Sequence, residues 1–111
     1  MFEVNVSDDR GIAIVAARGR IDSSTAAEFG SALATAIDRG VVRVVVDLGQ
    51  VDYMSSAGLR EIVSALKRAR KGQGDVRLAE PTMRVLEVLE MAGLDTIMSI
   101  FPTRDDALRS F

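Results

Sequence analysis

Apolar and polar positions alternate at the start of the chain, with Phe2, Val4 and Val6 separated by Glu3 and Asn5, the period-two pattern of a half-buried strand. Asp8-Asp9-Arg10-Gly11 supplies turn chemistry and an apolar run resumes over residues 12–15, so an opening β-hairpin is predicted. The period then changes. Ala26, Phe29, Leu33, Ala36 and Ile37 recur at helical intervals until Gly40, and Thr25 with Glu28 has capping-box spacing, which predicts a first amphipathic helix. Residues 41–48 are nearly all β-branched, interrupted only by Arg43 and Asp47. A run without alternation suits a strand covered on both faces and marks the centre of a sheet.

Beyond Met54, the residues Leu59, Ile62, Val63 and Leu66 define one face of a second helix that Gly72 and Gly74 end. Residues 76–79 predict a short strand. Pro81 and Thr82 start a third helix, with Met83, Leu86 and Leu89 as its buried stripe and Gly93-Leu94 as a Schellman-type ending. Residues 97–101 predict a last strand, and Thr103 with Asp106 caps a short terminal helix carrying Ala107 and Leu108. The order is β, β, α, β, α, β, α, β, α. The expected fold class is therefore α/β, a mixed and mostly parallel sheet covered by helices and joined by right-handed crossovers.

Composition narrows the function. The 111 residues carry 14 basic and 16 acidic side chains, a net charge of −2, and fit one globular unit spanning residues 1–111. No apolar run approaches the length of a membrane span and no secretory signal precedes the first strand, so a cytoplasmic location without membrane insertion is expected. With neither cysteine nor histidine, thiolate catalysis, cysteine zinc sites and the commonest general base are excluded. No catalytic residue, metal site or cofactor is expected. Basic residues are dispersed and aromatics few, which gives no footprint for direct nucleic acid binding.

The most unusual segment is Asp47-Leu48-Gly49-Gln50-Val51-Asp52-Tyr53-Met54-Ser55-Ser56-Ala57-Gly58-Leu59, which joins the expected central strand to the second helix. Two serines fall at a helix start, where unpaired backbone N–H groups and the helix dipole favour a phosphate by about 0.3 to 2 kcal/mol. A serine there is either a switch or simply the helix cap. A serine nucleophile has no histidine to activate it and no G-x-S-x-G elbow. Asp22-Ser23-Ser24, at the first helix start, is either a recognition loop or ordinary capping. Asp47 reads as a turn-forming aspartate. Lys67, Arg68, Arg70 and Lys71 read as a solvated helix end, and Met83 and Met91 as core filler.

The 47–59 segment resembles the signature of STAS domains, specifically the bacterial anti-sigma-factor antagonists, which commonly read D-L-S-x-V-x-F-M-D-S-S/T-G-L there. Gly19-Arg20-Ile21-Asp22 resembles the family's G-x-L-D ahead of the first helix, and Met91-Ala92-Gly93-Leu94 its late S/A-G-L. The resemblance implies an antagonist-like fold, a mixed sheet with helices on one side. It also implies a partner, an anti-sigma factor that is a serine kinase, and a serine phosphatase that reverses the modification. In the family the unphosphorylated antagonist holds the anti-sigma factor and frees the sigma factor, and the phosphorylated form lets go.

An ungapped match of Met54, Gly58 and Leu59 to the pattern places Ser56 at the phosphoacceptor position. Asp22 matches a loop aspartate that meets the kinase. The sequence departs from the pattern at Ser55, where an acidic residue is common, at Ala57, and at Arg60, which replaces a common glycine. Ser55 is a competing acceptor. The expected partner surface comprises Asp22, Met54, Ser55, Ser56 and Arg60. The alternative is a STAS module without a phosphorylation switch, serving a membrane transporter or a stress-sensing assembly as an interaction subunit.

Overall fold

The computed structural model describes residues 1–111. It contains a five-stranded sheet, β1 (Phe2–Asp9), β2 (Ile12–Ile21), β3 (Arg43–Met54), β4 (Asp75–Ala79) and β5 (Ile100–Phe101), in the spatial order β1-β2-β3-β4-β5. Four α-helices accompany it: α1 (Ala26–Asp38), α2 (Ser56–Lys71), α3 (Met83–Met91) and α4 (Arg104–Arg109). β1 is antiparallel to β2, and every later neighbour is parallel. The opening hairpin turns on Arg10 and Gly11, both at positive φ (55° and 85°), as a two-residue turn between twisted strands requires.

The expected central strand is β3, and Val44, Val45 and Val46 are fully buried on it. Val44 and Val46 face the main core with Leu48, Val15, Phe29, Leu33, Ile62, Leu78 and Leu89. Val45 faces the other way, into a smaller cluster with Ile12, Ala79 and Ala107. Three helices cover one face and α4 part of the other, so the implied placement of all helices on one side needs correction. The alternation-free valine run required a cover on each face, and the short α4 supplies the second.

Other expectations shift for identifiable reasons. β3 continues to Met54, so the first part of the 47–59 segment is strand. Its pairing with β2 slips twice, between Ala16 and Arg18 and between Gly19 and Arg20. Each slip accommodates one extra β3 residue as a bulge, which hides the alternation from a period-two reading. β5 is only two residues long because the 3-10 turn over residues 94–96 draws the amides of Ile97 and Met98 to the Leu94 carbonyl. Gly93, at a φ of 77°, ends α3 as expected. In α3 the buried positions are Val85 and Leu89. Met83 and Met91, read as core, are 80% and 89% exposed. No helix is long and apolar enough to cross a membrane.

Capping at α3 and α4 follows the residues: Thr82 Oγ1 accepts from the Val85 amide at 3.3 Å, and Thr103 Oγ1 from the Asp106 amide at 3.0 Å. At α1 the capping box does not form. Thr25 turns back instead, its hydroxyl donating to the Arg20 carbonyl (2.8 Å) and accepting from the Asp22 amide (2.9 Å), which ties the loop to the end of β2. The basic end of α2 is partly paired, Arg68 with Asp38 of α1 and Arg70 with Asp75 at 3.2 Å.

Candidate functional site

The carboxyl ends of β2 and β3 lie side by side, with Ile21 opposite Met54 and Arg20 opposite Tyr53. Parallel pairing therefore places the loop after β2 and the start of α2 together, although 30 residues of chain separate them. The Ser55 amide completes the join by donating to the Ile21 carbonyl at 2.8 Å. Arg20 stacks over the Tyr53 ring at 4.3 Å from its centroid, and its Nε lies 3.9 Å from Asp22 Oδ2.

Asp22 organises the first loop. Its Oδ1 accepts from the Ser24 hydroxyl (2.7 Å) and the Ser24 amide (2.9 Å), and its carbonyl accepts from the Thr25 and Ala26 amides. The Ser24 hydroxyl, then the Ser24 amide, hold its carboxyl below the usual carboxylate range. A depressed carboxyl contributes stability above its ordinary pKa that is lost as pH falls through the lowered value, so the loop keeps its order at neutral pH. The aspartate thus shapes the entry to α1, as the capping reading expects, and its side chain remains about a third exposed.

Ser55 and Ser56 separate clearly. Ser55 is the N-cap residue of α2, with extended backbone (φ −92°, ψ 172°), yet its side chain makes no capping bond. Its Oγ is buried and has no hydrogen-bond partner. Ser56 is the first residue of the helix and is exposed. The ordinary capping explanation of the two serines is thus not realised in either side chain. The amides of Ser56, Ala57 and Gly58 precede the first intrahelical bond, from the Leu59 amide to the Ser55 carbonyl at 3.1 Å. Their N–H groups and the amino end of a 16-residue helix form a local environment that favours negative charge. No acidic residue occupies this first turn.

Met54 is 2% exposed and belongs to the core, so its place in the expected partner surface needs correction: it supports the site from below. The two one-residue bulges of β3 cancel in phase, so Met54 faces the core with Val44, Val46 and Leu48, while Ser56, on the first turn of α2, is exposed. Gly58 sits directly over it. A Cβ at Gly58 would fall 2.6 Å from Ile21 Cγ2 and closer still to Met54 Sδ, so only glycine lets α2 descend onto the strand ends. Gly58→Ala is expected to destabilise the domain by about 1 to 3 kcal/mol through overpacking, measured by urea denaturation. A change below a few tenths of a kcal/mol would show that the contact relaxes freely.

Arg60 is exposed one helical turn beyond Ser56. It lines a shallow groove of about 400 Å³ with Leu59, Val63, Ser64 and Lys67. Leu59 and Val63, read from the sequence as part of the buried face, are only half-buried here. This apolar strip beside Ser56 escaped the sequence reading, because helical periodicity alone does not separate a buried stripe from its margin. Asp47 lies further back, its Oδ1 accepting from the Gly49 amide at 2.9 Å and its Oδ2 pairing with Arg104 at 2.8 Å. It serves the bulge and the docking of α4.

The comparison with known proteins agrees with this arrangement. Residues 3–107 match the STAS domain. The chain belongs to the STAS domain family. It is 38% identical over 101 residues to BtrV of Bordetella bronchiseptica, a candidate anti-sigma factor antagonist, covering 91% of this chain and 87% of that protein. It is 34% identical over 100 residues to the anti-sigma-B factor antagonist of Listeria monocytogenes, covering 89% and 86% respectively. The crystal structure of an anti-sigma factor antagonist from Mycobacterium paratuberculosis superposes with a TM-score of 0.92 at 25% identity, covering 99% of this chain and 93% of that one. The site described above is thus the β2 and β3 carboxyl edge of a STAS domain.

Proposed function

We propose that this STAS domain is an anti-sigma factor antagonist that binds an anti-sigma factor with serine kinase activity, and that Ser56 is the residue the kinase phosphorylates. The single observation that carries the reading is the contrast between the two serines: Ser56 is exposed at a helix start, while the Ser55 hydroxyl is buried. A kinase must bring the acceptor oxygen in line with the γ-phosphorus of ATP. Only a hydroxyl that reaches solvent meets that requirement without local unfolding. The Ser56 oxygen forms the new P–O bond, ADP leaves, and the serine proton passes to a base of the kinase. A serine phosphatase restores the hydroxyl by transfer to water.

The names of the Listeria and Bordetella relatives support antagonism of an anti-sigma factor as the biological role. In this reading the partner contacts Asp22, the Ser55 backbone, Ser56 at the centre, and Arg60 with the half-buried Leu59 and Val63 along α2.

Incubating the protein with an anti-sigma factor serine kinase of its own organism and MgATP, followed by phosphopeptide mapping, tests the acceptor. The label is expected on Ser56, lost in Ser56→Ala and retained in Ser55→Ala. Label on Ser55, or undiminished labelling of Ser56→Ala, would overturn the assignment. Charge reversal at Arg60 is expected to weaken partner binding by about 1 kcal/mol, as a rim contact does. Reversal at Lys67, two helical turns further on, should matter less, and equal effects in a calorimetric titration would displace the surface.

A further inference from the structure

The helical layer stops short of one sheet edge. α3 packs over the main core through Val85 and Leu89, and β5 ends the sheet with no strand beyond it. Between them lies the largest groove of the molecule, about 760 Å³, lined by Leu86, Met98, Ile100 and Phe101 with Pro81 and Pro102 at one end. Its ionisable lining consists of Glu90 and Asp95, and neither has an ion-pair partner among the salt bridges of the fold. Arg70, whose guanidinium reaches this end of the sheet, is committed to Asp75 and to the Ile97 carbonyl, to which it donates at 2.7 Å. Exposed Met91 and Ile97 extend the apolar surface beside it, at 89% and 44% exposure.

We propose that this groove docks a basic amphipathic helix of a partner protein, at a surface that shares no residue with the Ser56 site. The occupant follows from three features. First, an apolar floor with two unpaired carboxylates on its wall complements a helix whose apolar stripe is flanked by lysine or arginine. Flexible methionines such as Met91 suit adaptable contact with such a helix. Second, a strand is a poor occupant, because β5 offers two residues and is followed at once by Pro102, leaving little main chain to pair. A helix lying beside α3 instead continues the existing helical layer over Ile100.

Third, charge argues against edge-to-edge pairing with a second copy of this chain. The opposite free edge, β1, carries Glu3, Asp8 and Asp9, which would face Glu90 and Asp95. Two β5 edges meeting about a two-fold axis would bring both pairs of carboxylates together. Like charges brought into one interface disfavour either assembly.

The test uses the intact isotope-labelled protein and two synthetic helical peptides of about eighteen residues, long enough to hold a helix. Both carry the same leucine stripe, one flanked by lysine and the other by glutamate. The lysine peptide is expected to shift the amides of Leu86, Glu90, Asp95 and Ile100 while leaving Ser56 unmoved. Replacing both acids, Glu90→Lys with Asp95→Lys, alters only exposed side chains. That variant should lower affinity for the lysine peptide about tenfold and raise it for the glutamate peptide by a similar factor. Indifference to peptide charge, shifts mapping to α2, or a dimer of the free protein whose dissociation on dilution shifts these same amides would each overturn the proposal. Because the readout excludes Ser56, Ser56→Ala should bind the lysine peptide unchanged, which separates this inference from the kinase reading.

Discussion

Phosphorylating Ser56 should lower affinity for the anti-sigma factor by about 30-fold to several thousand-fold and leave the fold of this domain intact. The asymmetry is electrostatic. Within the free domain a phosphoserine, bearing about −1.5 to −2 charges at pH 7, meets the uncommitted amides of Ser56, Ala57 and Gly58 and the positive end of α2. That neighbourhood favours the charge by about 0.3 to 2 kcal/mol. In the complex the same group is desolvated against a surface shaped for a neutral hydroxyl, with Asp22 of the adjoining loop adding like charge, a cost of about 2 to 5 kcal/mol. Ser56→Ala should therefore remain bound in the presence of MgATP, and Ser56→Asp should bind more weakly than the parent. Thermal melts and amide spectra of both forms supply the check. Spectral shifts spread across the sheet, or a large fall in melting temperature on phosphorylation, would replace this local switch with a conformational one.

Phe29→Ala should cost about 3 to 5 kcal/mol of stability, whereas Met83→Ala should cost less than about 0.5 kcal/mol. Phe29 is 0% exposed and anchors α1 to the main core among Val15, Leu33 and Ile62. Removing its ring leaves a cavity that the rigid valines of β2 and β3 cannot collapse into. Met83 is 80% exposed at the first position of α3, where an alanine loses little contact and forms helix well. Since α1 also carries the Asp22 loop at its entry, loosening it should disorder that loop before the sheet unfolds. Urea titration monitored at both the Asp22 amide and the sheet amides resolves the order. Equal costs for the two substitutions would show that α3 packs through its methionine face instead.

The methionines show where the reading of a linear pattern stops. In α1, five apolar residues at helical spacing project to one side, and all five are buried. That stripe is legible in the sequence because the large apolar residues of α1, Phe29, Leu33 and Ile37, all fall within it, and its margin offers only small residues such as Gly30, Ala32 and Ala34. In α3, apolar residues occupy Met83, Val85, Leu86, Val88, Leu89 and Met91, enough to draw more than one stripe. The choice of Val85 and Leu89 depends on the angle at which the helix lands, which neighbouring elements set. The same holds for α2, where Leu59 and Val63 lie on the margin of a face centred on Ile62, Ala65 and Ala69.

By itself the sequence determined the element order, the hairpin, the burial of the valine strand and the place of the two adjacent serines within a recognisable motif, because these rest on local periodicity, turn residues and spacing. Tertiary structure decided which serine faces solvent. Each of the two β3 bulges shifts the strand by one residue and together they restore its phase, so Met54 faces the core as Val44, Val46 and Leu48 do. The Ser55 amide is then tied to the Ile21 carbonyl of β2, and the Ser55 hydroxyl is enclosed while Ser56 emerges. A bulge depends on pairing with β2, a neighbour distant in sequence, and periodicity carries no record of that partner. The meeting of Asp22 with the start of α2 has the same origin, since parallel pairing of β2 and β3 brings their carboxyl ends to one edge only once the crossover helix has packed.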